Sequence, residues 1–583
     1  MNHPYFHKFT VEIINKPYYT ETGISYPKTA VISFFNQNER LIGVEDYGYL
    51  PTADIYDRIE NSEALNLDNC YVKDFSFTAY RRLMLMHKTD AVTLKNISAK
   101  NAFFYSTHAI DFSHLNIGDG VSDFSGCCFI ADELTFVNTK FGKGNVDFSY
   151  ALFRNEKNDF SNIIINEGDV IFKNSVFTSG IKNFQYASFG KGFVNFTNTE
   201  FNTGDVSFLN TYFGDGKVSF KIARFDDGKV DFHYSKFGKG DISFERTEFG
   251  NGIVDFKAVE FNAGKVNFNR AIFEKGEVTF EGSSTKGRVT FKKTTFNCNY
   301  LTFEIAEYNE TELNLEKAVF NNCNLSFYGG MFTKLTLKGC HLDNYVDMRV
   351  RKCHEIDISD TVIRDIVDFK PFEFNIDVDI LNISAVRLLG TIYIDWENNN
   401  VNKLISNQTN TTLLEKAEQF RVLKESFNTI GQYKDEDKSY VCFMRYEQKA
   451  EYADILQNHK HKLFYKIPVY LFKKVIFDYV GLYATSPLRV LASMLVTYVL
   501  FSLIYFVVLS LNMGDIVSGI GGEHALISVL GKSFYHSGIT FFTIGYGDFY
   551  PLGLVRWLSQ IEGFTGVFLM SYFTVAFVHK ILR

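Results

Sequence analysis

The chain has 583 residues, which is enough for several domains. Its net charge of −7 argues against a nucleic-acid partner, which needs a basic surface. Its 61 phenylalanines are far more than ordinary usage gives, and its eight cysteines contain no Cys-x-x-Cys pair, which indicates reduced thiols rather than a zinc site or a disulfide framework.

Residues 1–100 are irregular, and we expect them to cap a repeat domain that spans residues 101–400. In that domain phenylalanine recurs every twelve residues from Phe148 to Phe280. A second series with the same period runs from Phe141 to Phe273, with Ile165 at one of its positions. The steps between the two series alternate between seven and five residues. This pattern predicts a solenoid of short strands with stacked phenylalanines inside.

One repeat unit illustrates the expected strand. Val218 and Phe220 point to the same side, because side chains alternate along a strand, while Lys217 and Ser219 point outward. Two units predict a coil of about 24 residues, and beyond residue 332 the spacing falls towards five. A recurrent glycine predicts corners with positive φ. The glycines of this series are Gly204, Gly216, Gly228 and Gly240.

The five-residue steps, with a small residue two positions before the central phenylalanine, resemble pentapeptide-repeat proteins. That resemblance implies a right-handed, four-sided β-helix. The alternation of seven and five residues departs from the family pattern and leaves the geometry of the coil open.

Residues 407–465 predict a helical linker. Thr412-Leu413-Leu414-Glu415 is a capping-box pattern, and Gly431 suits the end of the first helix. A second helix is expected over residues 435–456. The two helices either transmit force to the following segment or simply join domains. Residues 466–486 predict an interfacial helix, with a short soluble connector as the alternative.

Two long apolar segments follow and predict a membrane domain at residues 487–583. Residues 491–511 carry no charge, and residues 557–578 are interrupted only by Glu562. We expect an outer helix at 489–511, a pore helix at 526–542 and an inner helix at 554–580. Basic residues flank the pair, so both chain ends are expected in the cytoplasm, in a multi-pass protein of the cell membrane. These residues are Lys466, Lys473, Lys474, Arg489, His579, Lys580 and Arg583.

Between these helices, residues 543–548 read Thr-Ile-Gly-Tyr-Gly-Asp. Carbonyls that replace the water shell of an ion must face one axis, and glycine at alternate positions permits the necessary backbone angles. The stretch resembles the potassium-channel signature. The resemblance implies a selectivity filter at Thr543, Ile544, Gly545, Tyr546 and Gly547, with K⁺ held at the first four of these residues.

The surrounding residues have expected supporting roles. Asp548, Thr540 and Tyr535 are assigned to support of the filter, and His536 departs from the aromatic pair that related channels often carry. Glu562 either attracts cations from a pore-facing position or pairs with a neighbouring helix. Gly563 and Gly566 are either a gating hinge or points of close helix packing.

Together, the repeats, the linker and the two-helix pore resemble bacterial pentapeptide-repeat ion-channel fusions, a likeness that covers residues 112–583. It implies a prokaryotic inner-membrane protein. Four copies are needed to surround an ion, which predicts a homotetramer in contact with membrane lipid. The expected function is a potassium-selective channel whose cytoplasmic repeat domain regulates or localises the pore, with an unknown protein or ligand at the repeats.

The alternative is a membrane-anchored binding scaffold whose pore is non-selective or non-conducting. Nothing in the sequence predicts an enzyme, and the only small species expected is the permeant K⁺, with no cofactor.

Overall fold

The computed structural model describes residues 6–61, 64–262, 264–306, 311–458, 463–519 and 527–582. The chain divides into two compact units, Met1–Gln408 and Thr409–Arg583. A β-solenoid makes up most of the first unit, and helices make up most of the second. The predicted order of repeat domain, helical segment and two membrane-length helices is therefore confirmed.

The solenoid is built from four-sided coils whose strands pair in parallel with the same face of the next coil. Val146 pairs with Val170, and Val170 pairs with Val194, so successive coils are 24 residues apart and contain two twelve-residue units. Some later coils are shorter, since Leu325 pairs with Val346, 21 residues on, whereas the last spacing, from Val362 to Arg387, is 25 residues. The 24-residue coils and the shorter ones follow the periods predicted from the sequence.

The ladder on one face contains 14 strands in the described part of the chain. Its strands are Leu65–Asn66, Ile97–Ser98, Ser122–Asp123, Val146–Asp147, Val170–Ile171, Val194–Asn195, Val218–Ser219, Ile242–Ser243, Val266–Asn267, Arg288–Thr290, Glu312–Asn314, Met331–Thr336, Lys352–Asp357 and Asp377–Asn382.

The other three faces carry shorter ladders. One contains Val92–Leu94, Leu115–Ile117, Lys140–Phe141, Ile164–Ile165, Ser188–Phe189, Lys236–Phe237, Glu260–Phe261 and Ser284–Thr285. The next contains Cys70–Lys73, Phe103–Tyr105, Cys128–Thr135, Leu152–Asp159, Val176–Phe177, Arg224–Phe225, Glu248–Phe249, Ile272–Phe273, Thr295–Phe296, Val319–Phe320, His341–Leu342, Val362–Ile363 and Arg387–Leu388. The last contains Ala109–Asp111, Ile181–Asn183, Val206–Ser207, Val230–Asp231, Gly252–Asp255, Gly276–Thr279, Tyr300–Thr302, Asn324–Ser326, Val346–Asp347, Ile366–Asp368 and Thr391–Tyr393.

Stacked phenylalanine rings fill the interior of the coils. Phe220 lies between Phe196 and Phe244, with ring centroids 4.9 Å away on each side and ring planes within 4° of parallel. It also meets Phe208 and Phe232 edge-on, at 5.5 and 5.6 Å. All five rings are buried. Burial of each ring contributes about 1.5–3 kcal/mol, and these ring geometries add to that figure.

Glycine recurs at these positions for two different structural reasons. Gly204 and Gly228 take positive φ, at 109° and 147°, as predicted. Gly216 and Gly240 do not, so the prediction was wrong for them. A Cβ on Gly216 would lie 1.8 Å from the carbonyl oxygen of Gly192 in the preceding coil. Close approach between coil backbones therefore requires glycine at these two positions.

The left-handed corner of each unit is occupied by ordinary residues instead. It lies two positions after an interior phenylalanine, as at Ile222, where φ is 59°. The sequence analysis did not anticipate this corner, because no single residue type marks it. The same corner is Tyr150, Asn162, Asn174, Tyr186, Asn198, Asn210, Tyr234, Arg246, Ala258 and Arg270 in other units.

The N-terminal segment combines antiparallel strands with the first coils. Its strands are Lys8–Ile14, Tyr18–Tyr19, Ser25–Tyr26, Lys28–Phe35 and Leu41–Tyr49, and its helices are Thr52–Glu60 and Phe77–Leu83. Parallel pairing already begins between Gly48 and Cys70, so coils start inside the range assigned to the cap. Phe34 and Tyr47 pack against Phe103 of the solenoid core.

The helices that follow the solenoid begin with Val401–Ser406, near the end of the first unit. Thr412 and Glu415 form the predicted capping box at the start of Leu413–Thr429, and the second linker helix is Tyr433–Asn458. The predicted interfacial segment consists of the helix Leu463–Lys473 and a π-helical stretch, Lys474–Val480. It begins three residues earlier than residue 466 and leaves residues 481–486 in a turn and a short connection.

The last three helices follow the predicted order. They are Pro487–Ser510, Val529–Phe541 and Val555–Ile581, named here the outer, pore and inner helices. The pore helix starts later than residue 526, and Leu526 itself lies outside the described residues. The strands Gly514–Ser518 and Phe549–Gly553 pair antiparallel, an element that the sequence analysis missed.

Replacement of Ile222 by Asn should stabilise its coil. A β-branched residue at positive φ is strained by about 1–2 kcal/mol, and Asn tolerates this conformation better. We expect Ile222→Asn to slow hydrogen exchange of the neighbouring strand amides about fivefold in the intact protein. Asn210→Ile, at the same corner of the preceding unit, is the matched control and should speed exchange. Faster exchange in Ile222→Asn would contradict strain at this corner.

Candidate functional site

The pore helix packs between the outer and inner helices through its C-terminal end. Phe541 is fully buried in a cluster with Val490 and Met494 of the outer helix and Leu569 of the inner helix. Gly566 makes this contact possible, because a Cβ there would lie 2.1 Å from the carbonyl oxygen of Phe541. The inner helix runs unbroken through this position. The geometry thus favours close packing at Gly566 over a hinge.

The predicted filter leaves the pore helix with alternating backbone conformations. Thr543, Gly545 and Gly547 have φ of 55°, 58° and 78°, whereas Ile544 and Tyr546 between them do not take positive φ. Apart from the adjacent residues, no atom of the described chain lies within 4 Å of a Cβ placed on Gly545 or Gly547. Backbone conformation, rather than space within one chain, therefore explains both glycines. The side chain of Tyr546 is 71% exposed.

Hydrogen bonds tie the start of this segment to the end of the pore helix. The amides of Ile544 and Gly545 both donate to the carbonyl of Ile539, over 2.9 and 3.2 Å. The amide of Thr543 donates to the carbonyl of Thr540 over 3.1 Å, which is the contact through which Thr540 supports the segment. The negative end of the helix dipole is thereby directed at the start of the predicted filter.

The far end of the segment is held by a side-chain contact. The hydroxyl of Tyr535 donates to Oδ2 of Asp548 over 2.6 Å. The Tyr535 ring also meets Phe549 edge-on, at 5.4 Å between centroids. The two residues assigned to filter support therefore contact each other directly.

Glu562 lies behind the pore helix, fully buried within one chain. Its two carboxylate oxygens accept hydrogen bonds from Ser537 of the pore helix and, over 2.6 Å, from Tyr505 of the outer helix. Ser559 Oγ lies 2.9 Å from Nε2 of His536, next to this carboxylate. Glu562 therefore joins three helices within one chain, and this position favours a structural partner at the helix interface over a pore-facing acid.

Sequence reasoning missed the partners of Glu562. Tyr505 lies 57 residues before it in the chain, so no local spacing connects the two. The available signal was the presence of polar residues at Ser537 and Ser559 inside apolar helices, since buried polar groups need partners.

The second linker helix is attached to other elements of the same unit by two ion pairs. Lys580, at the end of the inner helix, donates to Oδ2 of Asp437 over 2.5 Å. Arg445 binds Asp478 of the π-helical stretch through two nitrogens, at 3.0 and 2.8 Å. Both carboxylates are largely buried, so these pairs are more tightly held than exposed surface pairs.

The outer and inner helices have the length and surface of membrane spans. They contain 24 and 27 residues, and only 22% of the most apolar window of each is buried. Core helices of soluble proteins are mostly buried instead. Large apolar side chains such as Leu495, Val496 and Phe564 are exposed along them. These helices are thus suited to contact with lipid or with other copies of the chain.

The sequence of this region matches a known family. Residues 493–583 match the family model described as Ion channel, and they include the pore helix, the predicted filter and the inner helix. No curated protein and no solved structure matches the chain. The C-terminal region is an ion channel pore domain that follows an N-terminal β-solenoid.

Replacement of Gly566 by Ala should destabilise the pore domain. The added methyl group would meet the backbone oxygen of Phe541, and such overpacking costs about 1–3 kcal/mol. Thermal unfolding of the detergent-solubilised protein should show a lower midpoint for the helical unit. Gly563→Ala is the matched control, because its nearest neighbour, Thr540 Cγ2, would be 4.0 Å away. Equal midpoints for both variants would contradict the packing role.

Proposed function

We propose that the protein is a homotetrameric, potassium-selective ion channel with a cytoplasmic solenoid that regulates or localises the pore. Residues 543–547 are the selectivity filter, and K⁺ is held by oxygens of Thr543, Ile544, Gly545 and Tyr546. Glu562 and Gly566 have supporting roles behind the filter in this proposal.

The alternating left-handed backbone at Thr543, Gly545 and Gly547 is the observation that carries the proposal. In a uniform strand, successive carbonyls point in opposite directions. Alternation of left- and right-handed conformations turns successive carbonyls towards the same side. A ring of such carbonyls replaces the hydration shell of K⁺, which is the basis of potassium selectivity.

The need for four copies supports the tetramer. One chain supplies one filter strand, which covers only one side of an ion, so several identical strands must surround an axis. The side chains of the segment that are exposed in one chain, such as Ile544 and Tyr546, then gain neighbours from the other copies.

Charge supports the proposed orientation. Lys473, Lys474 and Arg489 lie before or at the start of the outer helix, and His579 and Lys580 lie at the end of the inner helix. Lys and Arg favour the cytoplasmic side. Both termini are then cytoplasmic, with the filter near the outer surface of the cell membrane.

The second candidate is a membrane-anchored scaffold, in which the solenoid binds a partner protein and the pore does not conduct selectively. The regular solenoid surface favours it, because coil stacking offers long rows of similar side chains. The alternating filter backbone has no role in that function, and we therefore prefer the channel.

Replacement of Gly545 by Ala should abolish potassium flux and leave the tetramer intact. An L-residue at this φ is strained by about 1–2 kcal/mol per chain, and four strained copies disturb the carbonyl ring. Potassium efflux from liposomes measures flux, and cross-linking measures assembly. We expect Tyr546→Val to lose flux also. Gly118→Ala, in the solenoid, adds a Cβ that meets no atom beyond the adjacent residues within 4 Å, and this variant should conduct normally. Potassium-selective flux through the Gly545→Ala tetramer would refute the assignment.

Removal of the solenoid separates the two candidate functions. A chain starting at Thr409, the boundary of the second unit, should conduct potassium with an altered open probability compared with the full chain. Single-channel recording of both proteins in planar bilayers gives the comparison. A scaffold predicts no selective conductance from the full chain. Conductance that is identical with and without the solenoid would contradict a regulatory role.

A further inference from the structure

A cavity of ≈ 360 Å³ lies in the second unit, where four segments of the chain meet. The second linker helix contributes Tyr440, the π-helical stretch contributes Phe477, the turn after it contributes Tyr483, and the inner helix contributes Tyr572. Four aromatic side chains therefore line one small space. Neither the filter nor the solenoid takes part in it.

The aromatic walls are held in place by their neighbours. Phe477 and Tyr572 meet edge-on at 6.2 Å between centroids, and Tyr440 and Tyr483 do so at 6.4 Å. The hydroxyl oxygen of Tyr572 accepts a hydrogen bond from the amide of Ala484 over 3.0 Å. A Cβ on Gly481 would lie 2.4 Å from the Tyr572 ring, so the backbone packs directly on it.

One residue that lines the cavity carries a buried polar group without a partner in the described part of the chain. Tyr483 is only 8% exposed, and its hydroxyl forms no hydrogen bond with any described residue. Burial, with a further contribution from Asp478, raises the pKa of Tyr483, so the hydroxyl stays protonated at neutral pH. A buried hydroxyl without a partner is unfavourable, and a ligand oxygen would satisfy it.

The cavity also carries an excess of negative charge. Lys473 lies 3.3 Å from Oε2 of Glu451, and these two charges compensate each other. Glu447 lines the same cavity and forms no ion pair in the part of the chain that the structure describes. One uncompensated carboxylate beside four aromatic rings is an environment that favours a cation over an anion or a neutral apolar molecule.

We propose that this cavity binds an alkylammonium group that carries a hydroxyl or ester oxygen, of the choline type. The cation lies against the aromatic faces with Glu447 as its counter-charge, and the oxygen accepts a hydrogen bond from Tyr483. Aromatic surroundings are the characteristic receptor for quaternary ammonium groups. Such a group comes either from a free solute or from a lipid headgroup.

A ligand in the cavity contacts the inner helix of the pore domain directly. Tyr572 belongs to the inner helix, and Tyr440 belongs to the linker helix, so one ligand contacts both. A ligand that binds one arrangement of these helices better than another shifts their equilibrium. This consequence for conduction rests on the proposed channel function, whereas binding itself does not.

Isothermal titration of the full-length tetramer with choline tests the proposal. We expect saturable binding, about tenfold weaker binding in Glu447→Gln and several-fold weaker binding in Tyr483→Phe. The uncharged isostere 3,3-dimethylbutan-1-ol should bind at least tenfold more weakly than choline. Tyr483→Phe removes only the unpartnered hydroxyl, so we expect it to fold, and size-exclusion chromatography verifies the tetramer.

Matched controls lie outside the cavity. Tyr433→Phe and Glu425→Gln change the same chemical groups at exposed positions of the linker helices and should leave choline affinity unchanged. Choline bound in the ion pathway would be insensitive to Glu447→Gln and Tyr483→Phe. Equal affinity of these variants and the unaltered protein, absence of binding, or equal affinity for the neutral isostere would each overturn the proposal.

The membrane environment distinguishes the two sources of the ligand. If the source is a lipid, nanodiscs of phosphatidylcholine should weaken the apparent affinity for free choline relative to nanodiscs of phosphatidylglycerol, because headgroups compete. If the source is a solute, affinity should be the same in both. Because titration does not require conduction, loss of binding overturns this site alone, and loss of potassium flux overturns the channel function alone.

Discussion

The end of the pore helix fixes the backbone of residues 543–547 from one side, and the rest of the candidate site depends on this attachment. Left-handed conformations are unfavourable for Thr543 and tolerable for Gly545, so neighbouring hydrogen bonds must hold the alternation. The carbonyl of Ile539 accepts from the amides of Ile544 and Gly545, and Tyr535 holds Asp548 at the other end. The segment is thus fastened at both ends to one short helix.

The pore helix must itself be held in place, and polar contacts in an apolar environment hold it. Phe541 packs where Gly566 leaves room for its carbonyl. One turn further back, Ser537 and Tyr505 donate to the buried carboxylate of Glu562. An acid buried in such a place is costly without partners, and its two hydrogen bonds give it a defined orientation. The cluster thus determines how the pore helix lies between the outer and inner helices.

Periodic features were predictable from the sequence, because periodicity reports which side of a strand or helix is buried. The twelve-residue phenylalanine repeat gave the coil length, and Thr412 and Glu415 gave a helix start, since both depend on local spacing. The corner at Ile222 and the contact of Gly216 with the preceding coil were not predictable. Residue type does not reveal the φ of a non-glycine residue or the distance between stacked backbones.

The candidate site likewise has a part that was predictable from the sequence and a part that was not. The predicted filter rests on six consecutive residues, whereas Tyr505, Ser537 and Glu562 come together only through packing of three helices. A single acid in an apolar helix has several physically reasonable environments, and the sequence does not choose among them. The antiparallel pair of Gly514–Ser518 and Phe549–Gly553 was missed for a related reason, because its strands are short and lack alternation of apolar and polar residues.

The linker helix Tyr433–Asn458 is better suited to transmit movement than simply to join domains. Its Asp437 holds Lys580 at the end of the inner helix, and its Arg445 holds Asp478 in the segment before the outer helix. Both carboxylates are largely buried, so breaking either pair would leave a charge in poor contact with water. A displacement of this helix would therefore carry both attached segments with it. A flexible joint would have no need of such attachments at two separate points along one helix.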